Sequence, residues 1–122
     1  MRTYLATYHI EFLSPKSPCE WPLEAFERAI DHLLADEILA RREAKEDLKG
    51  IAIASTDGVD FADGKKPLSR LYRLHHDAVV PGDDPALLQA ALSDLLGVTP
   101  RQFEGPWNIV SIEVALTKKR PK

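Results

Sequence analysis

Four ionisable side chains in two alternating segments are the first candidates for chemistry: His9 and Glu11 near the start, His75 and Asp77 further on. In each pair the residues are two apart, so both share one face of an extended strand. A histidine beside a carboxylate can serve as a general base. Two histidines with a carboxylate can hold a divalent metal. Either use needs the two segments side by side, with the pairs level. Cross-strand ion pairing, such as Glu11 with Arg73, accounts for the same residues without any chemistry. The four are therefore weak catalytic candidates, and no metal or cofactor is expected. Alternation sends His75 and His76 to opposite faces, so these neighbours do not share a metal. His32 falls in a helical segment and is expected to be packed or solvated.

Other motifs carry less. Asp57, Asp60 and Asp63 recur every third residue, but the segment lacks the spacing and the position-twelve glutamate of an EF-hand loop. Ala91 to Phe103 resembles the centre of a helix-turn-helix, with Gly97 at the turn and Arg101 and Gln102 on a second helix. Gly105-Pro106 leaves that helix about one turn, too short to lie along a major groove. A helix end followed by one short turn at Thr99–Gln102 is the better reading. Arg101, Lys118, Lys119 and Arg120 are the only residues that suggest nucleic-acid contact, and weakly. The RNA-stacking pattern is missing, because Tyr4, Tyr8 and Tyr72 fall on the side assigned to the helices. Cys19 has no evident activating partner, and neither a P-loop nor G-x-G-x-x-G occurs.

The elements that would position these residues are punctuated clearly. From Arg2 to Phe12, Tyr4, Ala6, Tyr8, Ile10 and Phe12 alternate with residues that are polar except for Leu5, the mark of a half-buried strand ended by Ser14–Pro18. Leu23, Phe26, Ile30, Leu33, Leu34 and Ile38 recur at helical spacing. A helix is predicted over 22–47, with its final turns charged. Ile51–Ser55 reads as a second strand, followed by a long connection bracketed by Asp57-Gly58 and Asp63-Gly64. Leu68–Val80 is a third strand. Asp84 as N-cap, Pro85 at the first position and Gly97 beyond the end delimit a helix at 85–96. Asn108–Thr117 is the last strand, with Val110, Ile112, Val114 and Leu116 on one side.

The order β-α-β-β-α-β is the split βαβ, or ferredoxin-like, pattern: an α+β fold with two helices on one face of a four-stranded antiparallel sheet. Right-handed crossovers give the strand order 4-1-3-2. Residues 1–117 form one expected domain, and 118–122 a basic tail.

The chain has 122 residues, 44% hydrophobic and 29% charged, with a net charge of −3. This is too mild for an acidic DNA mimic and the wrong sign for a strongly basic nucleic-acid binder. One cysteine and a first segment broken by Arg2, His9 and Glu11 argue for the cytoplasm, without signal peptide or membrane span. The sheet face opposite the helices then mixes polar groups with Leu5, Thr7, Val79 and Ile109, the expected interface residues. The function expected is non-catalytic: binding a protein partner, or a second copy as a homodimer, through that face or a sheet edge. Inhibitors carried by mobile elements are an analogy. The alternatives are a dimeric ferredoxin-like enzyme or small-ligand binder, and a nucleic-acid-associated protein.

Overall fold

The structure, a computed structural model, describes residues 1–12, 22–46, 48, 50–63, 69–97, 101–102 and 107–117. β1 spans Arg2–Phe12, α1 Leu23–Glu43, β2 Ala52–Asp63, β3 Ser69–Val79, α2 Pro85–Leu96, β4 Arg101–Gln102 and β5 Trp107–Leu116. Every pairing is antiparallel, in the order β2-β3-β1-β5-β4. Four long strands and two helices make an α+β fold, with a helix following β1 and another following β3. Cys19, Thr99-Pro100, Gly105-Pro106, Lys118, Lys119 and Arg120 lie outside the described residues.

One sheet face and the helices share the core. Tyr4, Ala6, Tyr8, Ile10 and Phe12 of β1 are buried, as are Tyr72, Leu74, His76 and Ala78 of β3. Phe26, Ile30 and Leu34 come down from α1, and Leu88, Leu92, Leu95 and Leu96 from α2. Phe26 is the central aromatic. Its ring stacks on Tyr72 at 4.3 Å and meets Tyr8 at 5.5 Å and Trp107 at 5.4 Å, contacts that add to area burial.

α2 ends where its punctuation says. The Asp84 carboxylate accepts from Ala86 N–H at 3.0 Å, and Gly97 takes φ 58°, a left-handed conformation natural to glycine. α1 stops at Glu43, about a turn short of residue 47. Its charged last turns have no core to cover, so Lys45 turns left-handed at φ 59° and Glu46 N–H closes on Arg41 C=O at 2.8 Å. Arg41 then ties the two helices together through Asp94 at 2.8 Å.

Three expectations need correction. β2 is not a short strand with a long connection; it runs for 12 residues, and Asp57-Gly58 is extended rather than turned. Register shifts at Ile53/Ser55, Gly58/Asp60 and Phe61/Asp63 let the strand absorb extra residues as bulges. α1 comes close to Gly58. The glycine N–H donates to Glu27 Oε2 at 2.9 Å, and a Cβ would meet that oxygen at 2.6 Å and Leu23 at 3.2 Å. The second correction lies in β5. A bulge opposite His9/Ile10 leaves Val110 without a partner in β1 and reverses the alternation before it. Ile109 pairs with Ile10 and is 1% exposed, whereas Val110 is 40% exposed. Ile109 is therefore core, not open face. Third, Arg101 and Gln102 do not form a helical turn: they pair with Ile109 and Asn108 as a short strand, so no recognition helix runs through them.

Candidate functional site

No helix crosses the second face of the sheet among the described residues. Strand register arranges it in rows. Thr3 lies across from Asp77, and Asp77 across from Ser55. Leu5 lies between His75 and Ala115, with Asp57 beyond His75. Thr7 lies between Arg73 and Glu113, with Asp60 beyond Arg73. His9 lies between Leu71 and Ser111, and Glu11 between Ser69 and Asn108. Leu5 and Thr7 are half-buried, and Val79 is half exposed.

This register separates the four catalytic candidates. His75 faces Leu5, four residues along β1 from His9, or ~13 Å at 3.3 Å per residue. Asp77 faces Thr3, eight residues from Glu11, or ~26 Å. The set that looked convergent in sequence is strung along the sheet. Among the described residues, no cluster of three or more histidines, cysteines and carboxylates could hold a metal.

Instead, the polar groups are fastened to their neighbours. Asp77 accepts from Thr3 Oγ1 at 2.6 Å and from Ser55 Oγ at 3.0 Å. Arg73 grips Asp60 with two parallel hydrogen bonds, Nε to Oδ1 at 2.6 Å and Nη2 to Oδ2 at 2.5 Å. The bonds from Arg73 hold the Asp60 carboxyl below its ordinary range, and Asp60 raises Arg73 in turn. The expected pairing of Glu11 with Arg73 does not form, because Glu11 faces Ser69 and Arg73 reaches β2 instead.

One contact resembles a nucleophile with its base: His9 Nε2 lies 2.7 Å from Ser69 Oγ. Activating a serine also requires a group orienting the other ring nitrogen and donors for an oxyanion. Among the described residues, no such orienting hydrogen bond to His9 Nδ1 is seen.

The covered face carries a histidine that sequence reading placed correctly but gave no role. His76 is fully buried between two hydroxyls, Tyr8 Oη at 2.6 Å from Nε2 and Thr56 Oγ1 at 2.8 Å from Nδ1. Burial, reinforced by His75, lowers its pKa from 6.5 to about 4. The ring is therefore neutral at pH 7. One hydroxyl donates to it and the other accepts from it. Burial and the Asp31 carboxylate push the Tyr8 hydroxyl well above the ordinary phenol range. The arrangement is a satisfied core network. Its missing clue was Thr56, which lay in a segment read as the loop following the strand.

Three concavities lie away from the centre of the open face. A groove of about 580 Å³ follows α1 and the β2 edge past Arg28, His32 and Thr56. One of about 360 Å³ lies beside Arg41, Leu48 and Ile51, and one of about 280 Å³ runs between the helices at Leu87 and Ala91. Among the described residues no helix is long and apolar enough to cross a membrane. No protein-family model matches the chain, and no curated protein is significantly similar to it.

Proposed function

We propose that this chain is a non-catalytic interaction module that docks a protein partner on the open face of its sheet. The observation carrying this reading is the state of that face. Asp60 and Asp77 are hydrogen-bonded in place, its histidines are far apart, and half-buried Leu5 and Leu71 and half-exposed Val79 stand among them. A firmly held face mixing apolar and polar groups suits contact better than catalysis. We read the architecture as ferredoxin-like; helices after β1 and β3, and β1 between β3 and β5, support this. Among the described residues, that layout leaves one sheet face without a helix. The module would act in the cytoplasm, consistent with a single cysteine.

The sheet edges are less suited to the task. Bulges interrupt β2, and Gln89 Oε1 of α2 accepts the edge N–H of Val114 in β5 at 3.0 Å. Both devices blunt strand addition.

Photo-crosslinking inside the producing cells tests the reading. A benzophenone side chain at Leu5 or Val79 should yield one discrete adduct, and the same group at Asp36 on α1 should not. Adducts from Asp36 alone would overturn it. An adduct of twice the chain mass would identify a second copy as the occupant.

A further inference from the structure

The open face is acidic. Among the described residues, Glu11, Asp57, Asp60, Asp77 and Glu113 stand on it with one guanidinium, Arg73. With histidines counted as neutral, five carboxylates against one cation leave −4 among the described residues of this face.

We infer that the partner presents a cationic protein surface, rich in arginine or lysine, to this face; the inference rests on the docking role proposed above. Charge complementarity argues for it. Phosphate backbones and anionic lipid surfaces would be repelled, and a second copy laid face to face would oppose acid to acid. The carboxylates are too dispersed for a metal, but their spacing suits several long basic side chains. Arginine and lysine stems can lie on Leu5, Leu71 and Val79 while their heads reach the acids. Thr3 and Ser55 already fix Asp77, and Arg73 fixes Asp60, so little side-chain freedom is lost on binding. The area is adequate. Four strands at ~4.8 Å and about ten residues at ~3.3 Å give roughly 600 Å², against about 800 Å² per partner in a standard interface.

The test is an amide-resolved NMR titration of the full chain with a nine-residue arginine peptide, at 50 and 300 mM salt. Shifts should concentrate in β1, β3 and β5 and weaken at the higher salt. Glu11→Gln with Glu113→Gln, both exposed, should weaken binding roughly tenfold. Glu24→Gln with Asp36→Asn removes the same charge from α1 and should change it little. Equal weakening by the two pairs, or shifts confined to α1, would overturn the cationic partner, because attraction would then follow net charge alone. A nine-residue glutamate peptide should leave the strands unmoved. Strand shifts with that peptide, or with rising protein concentration alone, would overturn the cationic partner while leaving the docking role standing. Strands silent in every arm would overturn both. Unchanged shifts of Leu74 and Leu92 would show that the variants remain folded.

Discussion

His75 and His76 are neighbours in sequence, yet they belong to different proteins in physical terms. His76 points into the helix-covered face, where it is sealed between Tyr8 and Thr56. His75 points to the open face, half-buried, level with Leu5 and Asp57. The covered face is aromatic and leucine-rich, and its one buried histidine is held between two hydroxyls. The open face is acidic, with apolar residues between the acids. The same strands therefore supply stability on one side and contact chemistry on the other. Mutations on the two sides should separate accordingly.

The largest losses should follow truncation on the covered side. Phe26→Ala removes a ring that contacts Tyr8, Tyr72 and Trp107 and should cost ~3–5 kcal/mol. Leu92→Ala, at a fully buried position of α2, should cost ~2–5 kcal/mol. Shifts in denaturant midpoint measure both. An unchanged midpoint for either would mean that the face is not the core.

Next in size comes the pH dependence of His76. Its pKa is lowered in the folded state, to about 4 from 6.5. The unfolded chain therefore takes up a proton that the folded chain resists. Stability is full above pH 6.5, falls as pH drops towards 4, and flattens below. The loss is roughly 3 kcal/mol at 1.36 kcal/mol per unit. Urea melts across this range should show the slope in the parent and lose most of it in His76→Gln. His75→Gln should retain it.

Two tyrosines on β1 sharpen the comparison within the covered side. Tyr8→Phe leaves a nitrogen of His76 without its partner and should cost ~1–3 kcal/mol. The Tyr4 hydroxyl is buried with no hydrogen-bond partner among the described residues. Tyr4→Phe should therefore be neutral or slightly stabilising. Equal costs would refute the assignment of the buried network. Smallest of all, Val79→Asp on the open side should shift stability by about 0.5 kcal/mol or less. A large loss would mean that this face is needed for folding.

Much of this division was legible in the sequence. Period-two alternation placed β1 and assigned His75 and His76 to opposite faces, because side-chain direction in a strand follows from position alone. Asp84, Pro85 and Gly97 bounded α2 by local hydrogen bonding and φ. What escaped depended on partners distant in sequence. Ile109 was misassigned because a bulge at Val110 breaks the alternation, and only pairing with β1 reveals the bulge. Asp57-Gly58 has the composition of a turn. Its extended form is imposed by β3, and Glu27 and Leu23 of α1 approach its glycine. That one error removed Asp57 and Asp60 from the open face and hid its acidity. It also concealed Thr56 as the second partner of His76.

The four histidines provide the most direct measurement of the central claim, that the open face is where this chain makes its contacts. His9 and His75 lie on that face, His32 is exposed on α1, and His76 is buried. Diethyl pyrocarbonate footprinting, read by mass spectrometry, would compare the purified chain with the chain in extract of the producing cells. His9 and His75 should react when purified and become protected in extract, His32 should react in both, and His76 in neither. Protection of His32 with His9 and His75 unchanged would place the contact on the helices and contradict the claim.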